Sequence, residues 1–254
     1  METDPYTLLA RFYDLEHAPL RADIPFYRTL AAQTGGPILE LGCGTGRLLL
    51  PLAQDGHTLV GLDRNRAMLA LARQKLRRAG LVHRVSLIQA DMGAFALARR
   101  FGLILLAYNT FMHLLTTEAQ MAVLTAAHRH LRPGGRLVID LPPADEMAHQ
   151  DDSGVWMHQW QRTDPATGHR VLKRTASRLD WARQQQEVLA VYEEILPDGA
   201  VHQTAVSMTL RYTFPAELRL LVERAGLTLE GLYGDYGWGP YEEGSPRMIG
   251  VGVR

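Results

Sequence analysis

The sequence predicts an α/β fold: a mostly parallel sheet with helices on both faces, and a smaller antiparallel β unit inserted into it. Between residues 37 and 141 short apolar runs alternate with helix-like patterns, and strands joined by crossover helices form parallel sheets. Four β-like runs then follow between residues 155 and 214, separated by turn signals. Consecutive strands joined by short turns indicate an antiparallel meander.

Five buried runs are the predicted strands of the parallel sheet, and the segments between them have helical spacing. The first helix-like segment covers residues 46–54, and the second begins at Asn65, a plausible N-cap. Thr117 and Gln120 have the spacing of a capping box, so a third helix is expected to open there. The predicted strands are residues 37–41, 58–62, 85–90, 103–107 and 136–141.

The remaining segments frame this region. Residues 6–14 and 23–30 have helical spacing, and Pro215 is placed to begin a helix that ends at Gly226. Two further runs, residues 228–233 and 248–253, read as closing strands. The predicted strands of the inserted unit are residues 156–162, 170–181, 188–196 and 201–214.

The composition is that of a globular protein and restricts its partners. The chain has 254 residues, of which 46% are hydrophobic, and a formal net charge of +0. A neutral chain has no overall field to attract nucleic acid or an anionic membrane. Cys43 is the single cysteine, which excludes an internal disulfide and a multi-cysteine metal site. Neither a secretory signal nor an apolar run of about 18 residues is found, so we expect a cytoplasmic protein.

A glycine-rich loop follows the first predicted strand. It reads Glu40-Leu41-Gly42-Cys43-Gly44-Thr45-Gly46, and glycines let a ligand approach the backbone closely. In a dinucleotide fingerprint the third glycine comes one position later, where this chain has Arg47. The Lys-Ser/Thr pair of a P-loop is also missing. The spacing therefore favours a nucleoside without a pyrophosphate, although a tight strand-to-helix turn would need the same glycines.

Polar residues stand at the carboxyl ends of the next three predicted strands, where ligands bind in open parallel sheets. Asp63 can accept both hydroxyls of a ribose, and Asp91, next to Met92, can accept from the amine of adenine. Met68 can pack on the adenine or in the core. Asp63 and Asp91 could each instead be a helix cap, but agreement among the strand ends favours ribose and adenine recognition. The fourth strand ends at Tyr108-Asn109.

These segments together resemble the class I S-adenosylmethionine-dependent methyltransferases. The resemblance rests on ILELGCGTGRLLLPLA, TLVGLDRNRAMLALAR, VSLIQADM, YNTFMHLL and HLRPGGRLVIDL, and it covers residues 37–141 closely. It implies a Rossmann-like sheet of seven strands in the order 3-2-1-4-5-7-6, with the last strand antiparallel. It also implies S-adenosyl-L-methionine as cofactor, with S-adenosyl-L-homocysteine as product and no metal. The cofactor contacts that it implies are Glu40, Gly42, Cys43, Gly44, Gly46, Asp63, Arg64, Asp91 and Met92.

The resemblance also places the reacting methyl group near Tyr108 and Asn109. Methyl transfer from a sulfonium is an in-line displacement that depends mainly on orientation, and a base is needed only if a proton must leave early. His113 is the candidate base, with a purely structural hydrogen bond as the alternative. Aromatic rings can stabilise a sulfonium, so Tyr13 and Tyr27 of the N-terminal helices are candidate pocket residues. Simple hydrophobic docking of those helices explains the same rings.

We therefore expect a methyltransferase that acts on N or O of a small molecule. The predicted division is an N-terminal helical lid (residues 1–35), a cofactor domain (36–145 and 215–254) and an inserted substrate or dimer subdomain (146–214). The alternatives are an RNA or protein methyltransferase, a nucleotide-dependent oxidoreductase, and a nucleotide-binding module without catalysis. A membrane partner is not expected and nucleic acid is disfavoured. The inserted unit is also a candidate homodimer surface.

Overall fold

The computed structural model describes residues 4–143, 145–146 and 154–254. The first three residues of the predicted lid lie outside this part of the chain. So do residue 144 and residues 147–153, at the predicted junction between the cofactor domain and the insert.

The strands of the described chain form two sheets. The larger has seven strands: β1 (Ile38–Leu41), β2 (Leu59–Asp63), β3 (Val85–Gln89), β4 (Phe101–Leu106), β5 (Leu131–Leu141), β10 (Thr228–Tyr233) and β11 (Met248–Val253). The smaller has four: β6 (Met157–Thr163), β7 (Arg170–Asp180), β8 (Gln185–Ile195) and β9 (Val201–Arg211). The described helices are α1 (Pro5–His17), α2 (Ile24–Thr34), α3 (Leu49–Gln54), α4 (Arg66–Arg78), α5 (Thr117–His130) and α6 (Pro215–Arg224).

The larger sheet has the strand order that the family resemblance implies. Its order is β3-β2-β1-β4-β5-β11-β10, and β11 runs antiparallel to both of its neighbours. The pairs among β1 to β5 are parallel. All four residues of β1 are buried, because β1 lies in the centre of the sheet and helices cover both faces. The predicted Rossmann-like fold is confirmed.

Local chemistry explains where three of the helices begin and corrects two of the predictions. Asn65 caps α4, with its side-chain oxygen accepting from the amides of Ala67 and Met68 at 3.0 and 3.1 Å. The N-cap of α5 is Thr116 rather than Thr117, because Thr116 is extended and its hydroxyl accepts from the Ala119 amide. Helix α3 begins at Leu49 and not at Gly46, since a φ of +78° at Gly46 is incompatible with a helix.

The smaller sheet is an antiparallel meander in the order β6-β7-β8-β9. One of its faces packs against α1, where Phe12 stacks on Tyr192 with ring centroids 4.6 Å apart. Glu16 of α1 accepts from the Tyr192 hydroxyl at 2.6 Å and pairs with Lys173 of β7. Helix α1 therefore bridges the smaller sheet and the edge of the larger one.

Among the helices of the described residues, none is both long and apolar enough to cross a membrane. No group of three or more His, Cys, Asp or Glu side chains within residues 4–143, 145–146 and 154–254 is arranged to hold a metal ion.

Candidate active site

A cavity of about 280 Å³ lies beneath α1 at the carboxyl ends of β1 to β4. Parallel strands bring their ends to one edge of the sheet, so residues distant in sequence meet there. Several residues that the sequence did not single out complete the wall, among them Tyr6, Asn65, Thr110 and Leu114. The predicted site residues that line it are Tyr13, Gly42, Gly44, Asp63, Arg64, Met68, Asp91, Met92, Tyr108 and His113.

Five predicted site residues do not line this cavity. Tyr27 is fully buried and its hydroxyl donates to Asp140 at 2.8 Å, which corrects its assignment to the pocket. The Asn109 side chain is likewise directed away, because its oxygen accepts from Arg247 at 2.7 Å. The Cys43 side chain packs in the core, Gly46 lines a separate groove, and Glu40 lies buried beside the glycine loop.

The glycine loop leaves no room for side chains where it passes the cavity. Gly42 has a φ of +68°, and a Cβ atom there would lie 2.5 Å from a methyl carbon of Thr110. Gly44 has a φ of +53°, with the ring of Tyr13 3.6–3.7 Å from the position of a Cβ atom. Glycine is thus required at Gly42 by both conformation and space.

Asp63 orders the loop and keeps acceptor capacity for a ligand. It ends β2, and its two carboxylate oxygens accept from the amides of Gly44 and Asn65, each at 2.8 Å. Burial raises the pKa of this carboxyl. An ionised carboxylate has about four acceptor positions, so about two remain free for ligand hydroxyls.

The far end of the cavity combines apolar walls with one exposed acid. Met68, Met92 and Leu114 supply apolar surface. Met68 is also part of the core, with 1% of its surface exposed. Asp91 follows β3 and uses one oxygen to accept from the Gly93 amide at 2.7 Å. An apolar slot with one acceptor at its rim suits a flat heteroaromatic ring that carries an amine.

Glu40 is a buried acid with an unsatisfied oxygen. It is 5% exposed, and its Oε2 atom has no hydrogen-bond partner. The neighbouring Arg47 is committed to Asp23, at 2.8 and 2.6 Å. Burial raises the pKa of Glu40 to about 8; Arg47 lowers it, and Asp23 and Asp63 raise it. Such a group is stabilised either by a proton or by a ligand cation.

His113 is placed as a hydrogen-bond partner. It ends a 3₁₀ turn over residues 110–113, and its Nε2 atom lies 2.8 Å from the Tyr6 hydroxyl. Burial raises the pKa of Tyr6 far above its usual range, so Tyr6 keeps its proton, and the tautomer of the imidazole decides which of the two groups donates. Burial, with the charge of Arg64 adding to it, lowers the pKa of His113 to about 4. The imidazole is therefore neutral and a weak base.

Aromatic rings gather where β4 ends. Tyr13 stacks on His17 with centroids 4.1 Å apart, and His17 meets the edge of Tyr108 at 5.5 Å. The guanidinium groups of Arg247 and Arg47 lie 5.3 and 5.6 Å from the centroid of the Tyr108 ring. Tyr13 and Tyr108 both line the cavity, and the pKa of Tyr13 is raised by burial, lowered by Arg47 and raised by the charge of Glu40.

Comparison with known proteins gives consistent results. A family model described as a methyltransferase domain matches residues 38–135. The chain is 29% identical over 236 residues to a cypemycin N-terminal methyltransferase of Streptomyces sp, covering 92% of this chain and 88% of that one. It is 32% identical over 119 residues to the dTDP-3-amino-3,4,6-trideoxy-alpha-D-glucopyranose N,N-dimethyltransferase of Streptomyces venezuelae, covering 47% of this chain and 46% of the other.

Solved structures share the fold over nearly the whole chain. The CcbJ methyltransferase from Streptomyces caelestis superposes with a TM-score of 0.84 at 24% identity, covering 98% of each chain. The amino pentose methyltransferase CalS10 from Micromonospora echinaspora, solved with S-adenosylmethionine bound, gives 0.73 at 20% identity, covering 96% of each. Together with the sequence relatives and the strand order, these similarities support the predicted resemblance to the class I S-adenosylmethionine-dependent methyltransferases, with a methyltransferase domain over residues 38–135.

Proposed function

We propose that this protein binds S-adenosylmethionine in the cavity beneath α1 and methylates an amine nitrogen of a small acceptor. The observation that carries the proposal is the unsatisfied oxygen of Glu40, which is buried in β1 beside the glycine loop, two strands away from β3 and Asp91. The choice of nitrogen over oxygen is supported by the relatives, whose names describe methyl transfer to a peptide N-terminus and to amino sugars.

The residues present fit the parts of this cofactor. The two free acceptor positions of Asp63 match the hydroxyls of a ribose. The apolar slot formed by Met68 and Met92, with Asp91 at its rim, matches adenine. Glu40 matches the ammonium group of the methionine portion, because a charge-assisted hydrogen bond would satisfy its Oε2 atom.

The protein's contribution to the chemistry is orientation. When bound, the cofactor supplies an activated methyl group on a sulfonium. Holding an acceptor in line with that group can supply about 7–11 kcal/mol of the barrier. A neutral amine attacks through its lone pair and loses its proton afterwards, so no base has to act during the attack. His113 fits this scheme as a support for Tyr6, since its Nε2 atom is already hydrogen-bonded to the Tyr6 hydroxyl.

The surroundings of the cavity support the predicted division of the chain. Helix α1 is tied across the site by Asp14, which pairs with Lys75 at 2.6 Å, and by Thr7, which accepts from Asn65 at 3.0 Å. We propose that α1 is the lid over the cofactor and that the smaller sheet forms the outer wall of the acceptor site. A homodimer and a cytoplasmic location stay predictions.

Two measurements test the proposal. Calorimetric titration should show binding of S-adenosylmethionine and S-adenosylhomocysteine, and none of NAD. Transfer of a labelled methyl group should then be measured to a peptide with a free N-terminus and to a nucleotide-linked amino sugar. The matched controls are the N-acetylated peptide and the corresponding hydroxy sugar, and an RNA mixture is included. Transfer to an amine alone supports the proposal; transfer only to hydroxyls or to RNA contradicts it.

A further inference from the structure

A second buried acid lies at the same edge of the sheet, and it was not singled out by the sequence. Asp140 is the penultimate residue of β5 and is fully buried. Its Oδ1 atom accepts from Nε and Nη2 of Arg247 at 2.9 and 2.7 Å. Its Oδ2 atom accepts from the hydroxyls of Tyr27 and Tyr236 at 2.8 and 3.0 Å.

This network also holds the turn that follows β4. Tyr108 and Asn109 have φ values of +43° and +68°, a left-handed conformation that Asn tolerates but that is unfavourable for Tyr. The Tyr108 amide donates to Oδ2 of Asp140 at 3.2 Å, and the Asn109 amide donates to the Asp140 carbonyl at 2.9 Å. Arg247 bridges the two parts, because its Nη2 atom also donates to the side chain of Asn109 at 2.7 Å.

The conformation of this turn decides where the Tyr108 ring lies. Tyr108 lines the cofactor cavity, and the guanidinium of Arg247 lies 5.3 Å from the centroid of its ring. Released from the network, two consecutive residues would relax to negative φ and carry the ring elsewhere. The side chains that prevent this come from α2, β5 and the segment before β11, so three separate parts of the chain converge on one turn.

We propose that Asp140 and Arg247 are positioning residues for methyl transfer, which act by holding the Tyr108–Asn109 turn in its left-handed conformation against the cofactor. The proposal rests on the proposed function, in which S-adenosylmethionine occupies the cavity that Tyr108 lines. It assigns a role to an ion pair that stability alone explains poorly, because the cost of burying two charges can exceed their attraction. Neither residue needs to touch a reacting atom.

The chain offers a matched control for the loss of a buried ion pair. Arg211 of β9 pairs with Glu217 of α6 at 2.7 Å and donates to Gln120 at 2.9 Å. Its side chain is 8% exposed, compared with 14% for Arg247. None of these three residues lines the cofactor cavity. Arg211→Met should therefore lower stability without changing the environment of the methyl group.

The test is the resonance of the methyl carbon in bound [methyl-¹³C]S-adenosylmethionine, recorded with thermal unfolding and calorimetric affinity. We expect Arg247→Met to move this resonance and to weaken cofactor binding by about tenfold or more. Arg247→Lys keeps the charge but cannot span Asp140 and Asn109 with one rigid fork, so it should move the resonance in the same direction by a smaller amount. Arg211→Met should leave the resonance in place.

The outcomes separate the two proposals. If wild-type protein shows no bound methyl resonance, the proposed function fails. If the wild type binds the cofactor but folded Arg247→Met and Arg247→Lys leave the resonance and the affinity unchanged, the positioning role is overturned. If Arg247→Met does not fold, Arg247→Lys decides by itself. Equal movement of the resonance in Arg211→Met and Arg247→Met would also overturn the role.

Discussion

Glu40 and Asp140 are two buried acids at one edge of one sheet, and their surroundings are opposite. Glu40 lies in β1 and Asp140 in β5, with β4 between them. One oxygen of Glu40 has no partner, whereas Asp140 accepts from two tyrosine hydroxyls, an arginine and a backbone amide. A buried carboxylate whose oxygens all accept hydrogen bonds from the protein fixes the positions of the groups that donate to it. A buried carboxylate with an oxygen that lacks a partner is stabilised by a proton or by a ligand cation, neither of which is part of the chain.

The largest expected effect is a difference in the free energy of unfolding between variants of the two acids. Asp140→Asn leaves Arg247 buried without its counter-charge, which should lower the free energy of unfolding by about 3–5 kcal/mol. Glu40→Gln removes an uncompensated buried carboxyl and with it the cost of that raised pKa, so it should not lower the free energy of unfolding at pH 7. Urea unfolding of both variants measures the difference. Equal destabilisation by the two substitutions would show that the contrast between the acids has no energetic meaning.

A smaller effect is expected at Asp63, whose carboxylate accepts from two backbone amides and keeps about two acceptor positions free. Asp63→Ala should weaken binding of S-adenosylmethionine by about 1–3 kcal/mol, because ribose hydroxyls lose their acceptor. Titration calorimetry measures the change, and circular dichroism checks that the variant folds. Unchanged affinity in a folded variant would remove Asp63 from the cofactor site.

The affinity for S-adenosylmethionine should depend on pH through the ionisation of Glu40. With a pKa near 8, the free carboxyl is protonated at pH 6–7.5, and pairing with a ligand ammonium requires its ionised form. Binding should therefore release a proton, and affinity should rise by up to about tenfold per pH unit across this range. Calorimetry in buffers with different ionisation enthalpies counts the protons. A pH-independent affinity with no proton release would contradict this assignment.

The same raised pKa has a consequence for the free protein. A carboxyl that is protonated up to about pH 8 in the folded state but ionises near its usual pKa of 4.5 when unfolded binds more protons when folded. Its contribution to stability therefore falls as the pH rises from about 4.5 to 8. Glu40→Gln lacks this titration and serves as the control.

The smallest effect is expected at His113. Its pKa of about 4 and its bond to Tyr6 make it a poor base, so His113→Gln should lower kcat/KM by less than about tenfold. Glutamine can hydrogen-bond with Tyr6 in either direction. Initial rates with an accepted amine across pH 6–9 provide the measurement. A loss of about 10²-fold or more, with a changed acid limb, would restore His113 as the base.

Short-range patterns predicted much of the fold. Alternating runs and the family resemblance predicted the sheet, and the N-cap at Asn65 was recognised because it depends only on amides two and three residues away. The cap of α5 was predicted one residue late, because Thr116 and Thr117 are chemically equivalent in the sequence and differ only in backbone conformation.

Hydrogen bonds between residues far apart in the sequence explain why two predicted site residues lie away from the cavity. Tyr27 was assigned to the pocket by residue type and Asn109 by its position after the fourth strand, but their polar groups meet Asp140 and Arg247, which lie more than 100 residues away in the chain. Local sequence is enough to predict that a residue lies at a strand end, as for Asp63. The direction in which a side chain turns from that end depends on partners that only the folded chain brings together.

The most direct test is the titration of wild type and Glu40→Gln with S-adenosylmethionine at pH 7. We expect the wild type to bind with release of a proton, and Glu40→Gln to bind about 1.5–3 kcal/mol more weakly with no proton released and no loss of stability. Equal affinity and equal proton release in the two proteins would show that the cofactor's ammonium group does not meet Glu40, and would contradict that assignment.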